Sequence, residues 1–244
     1  KMLNAPGAWG STPLELAAFI GDLSIFKALW YLEGYDIDVN KVNEKGEGVL
    51  YCALSHYPQS QAVIDFILND KKLNIQALRK NGGYLNILSV ASESGNNFYL
   101  HKLINLGIDP NWIDSNDWNL LHYAAWKGHI STVKFLVEMK TVSSLHPQDN
   151  HKKTPLMCLY ENQKLPKKVK AELVEYFIEK TIDVTELFHK RNESKMNILD
   201  LAVKADDLVT VAQLIKKTKK ALAGMAGVGI IFKEGAKDFF GLND

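Results

Sequence analysis

DSNDWNLLHYAAWKGHISTVKFLVEMKTVSSLHPQD, residues 114–149, is the stretch from which the rest of the chain is read. Asn119-Leu120-Leu121-His122-Tyr123-Ala124-Ala125 has the polar start and the apolar three- and four-residue steps of a short helix, and Gly128-His129 stops it. Val133, Phe135, Leu136 and Val137 then mark one face of a second helix. One copy of such a helix pair exposes an apolar face that it cannot bury alone.

The pattern recurs. Six leucines, Leu14, Leu50, Leu88, Leu121, Leu156 and Leu199, are spaced by 36, 38, 33, 35 and 43 residues. Three positions after them stand Ala17, Ala53, Ala91, Ala124, Leu159 and Ala202, and each copy continues into a second apolar group. A period in the mid-thirties is the signature of a solenoid, whose units stack to bury a shared core. The expectation is an all-α solenoid of about six helix-turn-helix repeats followed by a non-repeat segment. Three departures are expected: a longer inter-helix turn at Tyr57-Pro58-Gln59-Ser60, a loop insertion over Asn162 to Lys168, and a late start of copy six after Asp183 to Asn192.

These residues resemble the ankyrin repeat. Thr12-Pro13-Leu14-Glu15-Leu16-Ala17-Ala18 with Gly21, and Asn119 to Ala125 with Gly128-His129, are similar to its T-P-L-H-x-A-A-x-x-G-H core, and Thr154-Pro155-Leu156 is a shorter match. Asp36-Ile37-Asp38-Val39-Asn40 and Gly107-Ile108-Asp109-Pro110-Asn111 resemble its closing G-A-D-V-N turn. The resemblance spans residues 7 to 216. It implies a repeat domain over 1–220, with copies near 7–42, 43–80, 81–113, 114–148, 149–186 and 192–220, and a capping or linker segment over 221–244. That last segment opens with the apolar run ALAGMAGVGIIF, too short to span a bilayer.

Chemistry is sparse. Cys52 and Cys158 occupy the place held by Leu16, Val90, Tyr123 and Leu201 in other copies, and so read as small apolar fillers. Two cysteines without a bridge fit a reducing, intracellular compartment. His122 stands where the resembled family has its structural histidine, and its counterparts Glu15, Tyr51, Ser89, Met157 and Asp200 form no ligand set or triad. Gly224-Met225-Ala226-Gly227-Val228-Gly229 lacks the Gly-Lys-Ser/Thr ending of a phosphate loop. Asp206-Asp207 falls at a turn. No catalytic residue, metal site or cofactor is expected. No signal peptide or 18-residue apolar run is visible, and the opening Lys1-Met2 reads as a cut end. The net charge of +1 provides no global field for nucleic acid, although lysines accumulate between His151 and Lys220.

The resemblance implies a protein-protein interaction domain, expected to be monomeric, that binds a partner protein on a concave face built from the loops and exposed faces of the first helices. The family's variable contact positions, carried over, fall on Trp9, Phe19, Lys45, Trp118, Trp126, Lys127, His151 and Lys153, with the tryptophans expected to be exposed as interface anchors. Leu32, Asp38, Val39 and Asn40 resemble the site recognised by the hypoxia-linked asparaginyl hydroxylase, which makes Asn40 a candidate for hydroxylation. The worn, Asn- and Lys-rich repeats also resemble ankyrin effectors secreted by intracellular bacteria such as Legionella, which would put the chain in a host cytoplasm with a host protein as partner. The alternative is the substrate-targeting ankyrin portion of a larger multidomain enzyme.

Overall fold

The computed structural model describes residues 2–7, 10–42, 47–70, 72–73, 87–139, 144–183 and 185–226 of the 244-residue chain. Among these residues all regular structure is helical, apart from an isolated antiparallel bridge between Val42 and Gly48. The chain divides into two compact units, 1–115 and 116–244.

The first unit holds three helix pairs: α1 (Pro13–Ile20) with α2 (Leu23–Trp30), α3 (Val49–Ser55) with α4 (Gln61–Asn69), and α5 (Ile87–Glu93) with α6 (Asn97–Asn105). The second holds α7 (Leu120–Lys127) with α8 (Ile130–Glu138), α9 (Pro155–Glu161) with α10 (Lys167–Lys180), a short α11 (Thr185–His189), and α12 (Ile198–Lys204) with α13 (Leu208–Ala226). First helices stack on first helices, α1 on α3 on α5 and α7 on α9 on α12; behind them α2 packs on α4, and α8 on α10 on α13. The anchor leucines and their alanines form the seam. Leu14, Leu50, Leu88, Leu121 and Leu156 are buried, as are Ala17, Ala53, Ala91, Ala124 and Ala202, with Leu159 filling the alanine place in the fifth copy.

Turn chemistry repeats with the helices. Seven residues after the anchor, Gly21, Gly95 and Gly128 adopt left-handed φ of 82°, 73° and 78°, and Asp206 takes the same place at 53°. The next residue caps the second helix in several copies: Asp22 accepts from the Ser24 and Ile25 amides, Asn96 from Tyr99, and Asp207 from Thr210. The Asp206-Asp207 pair is therefore a turn residue followed by a cap. Four residues before the anchor, Gly10, Asp117, Lys152 and Lys195 share a second left-handed position, at the tip of the loop leading into each first helix. At the far end of the copies, Asp38, Asp70, Asp109 and Asp183 each accept a hydrogen bond from the amide two residues on.

The expected irregularities appear with some differences. Residues 56–60 separate α3 from α4, where two residues, Gly21 and Asp22, separate α1 from α2. The insertion in copy five is shorter than the sequence suggests, 162–166, because Lys167 and Lys168 already belong to α10. Residues 183–192, read as a connection, contain α11, whose Leu187 and Phe188 are buried. The helix α13 runs past residue 220 to Ala226; the remainder of the C-terminal segment lies outside the described residues.

His146, buried at the far end of the fourth copy, donates from Nε2 to the Thr181 hydroxyl at 2.7 Å, while that hydroxyl donates to the Phe177 carbonyl. Burial, with a smaller contribution from Lys190, pushes its pKa down to about 4. The neutral ring is the folded form, so the unfolded chain takes up the extra proton as pH falls below the ordinary histidine value. Stability is then complete above about pH 6.5 and falls on acidification, by roughly 2 kcal/mol between pH 7 and pH 5. Chemical denaturation at those two pH values should show this loss in the parent and a clearly smaller one in His146→Gln; equal losses refute the assignment.

A second prediction concerns the left-handed turns. A Cβ on Gly21 would lie 2.7 Å from the Gln59 carbonyl oxygen and 2.9 Å from the Ser60 Cα, both backbone of the next turn. Gly21→Ala should lower stability by about 2 kcal/mol or more, through left-handed strain and this collision. Lys195→Gly relieves the same strain with nothing to collide, and should raise stability by up to about 1 kcal/mol. Denaturant midpoints that move in the same direction for both would contradict the account.

Candidate interaction surface

The first-helix rows and the loops before them carry most of the residues singled out in the sequence. Four first helices are held at their start by a side-chain cap, and three of these are reciprocal: Thr12 with Glu15, Asn119 with His122, and Asn197 with Asp200. In each, the third helical residue accepts a hydrogen bond from the cap backbone. A carboxylate, an imidazole and a shorter carboxylate thus perform one structural task. His122 is fully buried, accepts at Nδ1, and donates from Nε2 to the Lys153 carbonyl of the next copy at 3.2 Å. Both thiols are pushed up, Cys52 to about 12 and Cys158 further, by burial first and nearby carboxylates second, which leaves neither as a nucleophile at neutral pH. Among the described residues no group of three or more His, Cys, Asp or Glu side chains could hold a metal ion. No helix among them is long and apolar enough to cross a membrane.

In the first unit, Phe19 is 44% and Ile20 53% exposed, and with Leu16 they form an apolar strip on α1. The Phe19 ring stacks on His56 with centroids 4.4 Å apart. Trp9 and Lys45 lie outside the described residues. Asn40 is half-buried: its amide nitrogen donates to the Lys72 carbonyl at 3.0 Å and its backbone N–H to Asp38, so it ties the closing turn of one copy to the next.

In the second unit, the tryptophans differ from expectation. Trp118 and Trp126 are half-buried rather than exposed. Trp118 stacks on His122, meets Tyr123 and Trp126 edge-on, and donates its Nε1–H to Asp149 at 2.9 Å. Asp149 also accepts from the His151 and Lys153 amides and so organises the loop before α9. Sequence spacing could not reveal this, because the carboxylate belongs to the following copy. The Trp126 ring carries the Lys127 ammonium 4.8 Å from its centroid.

Beside this cluster, copies five and six enclose a groove of about 680 Å³. His151 and Lys153 line it, together with Lys167, Lys170 and Lys204. Met196 and Leu201 supply apolar wall. Lys153 pairs with Glu161 and His151 with Glu193 at 3.1 Å. Burial alone would depress the Lys153 ammonium, but Glu161 outweighs it and the net effect is upward. Burial works against the Asp207 carboxylate too, yet Thr210 and Tyr160, whose hydroxyl donates at 2.9 Å, hold its pKa below the usual range. Sequence spacing could not place α10 against the groove. The insertion ahead of it brings Leu165 against Gly128, and Asn162 donates to the Trp126 carbonyl at 2.9 Å, which seats the helix start beside the groove.

Comparison with known proteins agrees with this architecture. The profile described as "Ankyrin repeats (3 copies)" matches residues 71–145 and 88–186. A chain from the solved complex of a predatory endopeptidase with an immunity protein, from Bdellovibrio bacteriovorus, superposes with a TM-score of 0.63 at 24% identity, covering 85% of this chain and 98% of that one. An ankyrin repeat domain from Acinetobacter baumannii gives 0.60 at 16% identity, over 84% of this chain and 97% of that one. Among curated proteins, the ankyrin repeat protein nuc-2 of Neurospora crassa is 29% identical over 135 residues, which is 52% of this chain and 11% of that protein. The chain therefore spans only a small part of that relative's length. Residues 71–186 match the ankyrin-repeat family, and the described residues have the ankyrin-repeat fold.

Trp118→Phe keeps an aromatic ring at the position but lacks the indole N–H that bonds to Asp149. It should lower stability by about 1–2 kcal/mol, since a part-buried bond to a charged acceptor is lost. Trp126→Ala should leave the loop before α9 ordered. Amide exchange of His151 and Lys153 reports this directly: acceleration is expected in the first variant and not in the second, and the reverse pattern would overturn the division of roles.

Proposed function

We propose that the chain is a protein-interaction domain that holds a partner protein on the concave face of its second unit, with Trp126, Lys127, His151 and Lys153 among the contact residues. The observation that supports this most is the groove between copies five and six, lined by the first helices α9 and α12, the loops before them and the start of α10. These positions are free to vary because the core is built from other residues. Ankyrin repeats are protein-protein interaction modules, and the first structural neighbour comes from a complex of two proteins. Phe19 with Ile20 in the first unit is a second exposed apolar patch.

The finer reading, a secreted bacterial effector acting on a host protein, draws on the unequal Asn- and Lys-rich copies and on the bacterial origin of both structural neighbours. The alternative, a targeting portion of a larger enzyme, is favoured by one observation: the curated relative is about nine times as long as the matched stretch, which is 11% of it. Asn40 stays a candidate for hydroxylation.

A photo-crosslinking residue introduced at Lys152 or Lys204, on the loop-tip and first-helix side, should capture a partner from host lysate. The same residue at Glu138 or Glu179, exposed on the second helices, should not. Crosslinks of one protein from Glu138 and Glu179 alone would move the interaction to the other face, and capture from bacterial but not host lysate would remove the effector reading.

A further inference from the structure

The groove wall is electrostatically lopsided in a way that its formal charges hide. Each carboxylate on it is already engaged: Glu161 by Lys153, Glu193 by His151, and Asp207 by the Tyr160 hydroxyl and by both the hydroxyl and the amide of Thr210. Asp207 keeps its charge and acts on Lys167 and Lys170, but it is one carboxylate facing three ammonium groups that lie outside the ion pairs. Among the described residues Lys167, Lys170 and Lys204 form no ion pair; Lys170 rests 5.5 Å from the Tyr160 ring centroid, and burial lowers its pKa with Asp207 only partly offsetting this. Their apolar neighbours Met196 and Leu201 are half-buried.

We propose that this groove takes an extended acidic segment of the partner protein, its carboxylates meeting Lys167, Lys170 and Lys204 and its apolar side chains lying on Met196 and Leu201. The inference rests on the reading of the second unit's concave face as the partner surface. A neutral or basic segment would leave the partly buried Lys170 and the exposed Lys167 and Lys204 with only Asp207 as counter-charge, whereas an acidic one supplies the carboxylates this end of the groove lacks. The volume, about 680 Å³, suits a few side chains and lies within the roughly 300–1,000 Å³ of ordinary ligand pockets. A nucleic acid fits less well, because the chain as a whole has a net charge of only +1 and the wall is partly apolar.

The test is selection of a random dodecapeptide phage library on the whole chain and on the charge-reversed variant Lys167→Glu, Lys170→Glu, Lys204→Glu, with Lys→Gln at the same three positions as a milder variant should the reversal disturb folding by circular dichroism. Peptides recovered on the parent should be enriched in Asp and Glu interspersed with apolar residues. A synthetic consensus peptide should bind the reversed variant at least tenfold more weakly, and the parent more weakly as salt rises. Recovery of peptides with no acidic bias overturns the inference, as does undiminished binding of acidic peptides by the variants, or displacement of the peptide by single-stranded DNA at lower concentration than by itself. Non-acidic peptides that still crosslink at Lys152 and Lys204 would leave the interaction surface standing while removing its acidic ligand. A library yielding no peptide overturns the acidic-segment inference and leaves the surface to be decided by the crosslinking of the partner protein.

Discussion

Close approach of first helices within each row is the constraint on which the rest of each unit depends. Where α1 meets α3 and α3 meets α5, and again where α7 meets α9, the residue three after the anchor has little room, and Ala17, Ala53, Ala91 and Ala124 are all at most 3% exposed. A methyl group lets helix axes come together; a longer side chain in every copy would force them apart and open voids along the seam, and interiors do not tolerate voids cheaply. The fifth copy departs from the rule with Leu159, which is nevertheless fully buried. The same close approach explains Gly21, whose missing Cβ makes room for the backbone of the following turn.

The backbone groups left over at the helix ends are satisfied locally. The chain answers with short polar side chains at fixed places: caps at Thr12, Asn119, Thr154 and Asn197, second-helix caps at Asp22, Asn96 and Asp207, and turn acceptors at Asp38, Asp70, Asp109 and Asp183. These groups account for many of the carboxylates that could otherwise be taken for catalytic ones. Links between copies use the same vocabulary. His122 reaches the Lys153 carbonyl, Tyr99 reaches Asp65 at 2.9 Å, and Tyr31 reaches Asp70 at 2.8 Å.

The fold was legible because its signals are local and periodic. Leu121 with Ala124, Gly128 and the Asn119 cap lie within ten residues of each other, and the spacing of the six anchors needed no knowledge of contacts. What escaped was contact between copies. Trp118 reads as an exposed aromatic until Asp149, thirty-one residues on, accepts its N–H. The extra helix Thr185–His189 is too short for a period to show, and Leu187 and Phe188 alone do not distinguish a helix from an apolar loop. Lys167 and Lys170 belong to the accumulation of lysines after His151, and nothing in their spacing shows that a five-residue insertion turns them toward the next copy.

That insertion is what gives the second unit a face unlike a plain stack. In copies one and four the turn after the first helix is two residues long and leaves no room for a side element. In copy five, residues 162–166 reach back to Trp126 and Gly128 and then launch a 14-residue helix whose first turns carry Lys167 and Lys170 to the groove beside Lys204. A repeat worn away from the family pattern has thus lost regularity at one turn and gained a wall. The departures from the repeat, more than its conserved-looking core residues, are where the surface acquires chemistry of its own: the core positions are fixed by stacking, while Lys167 and Lys170 answer to no internal partner in an ion pair among the described residues.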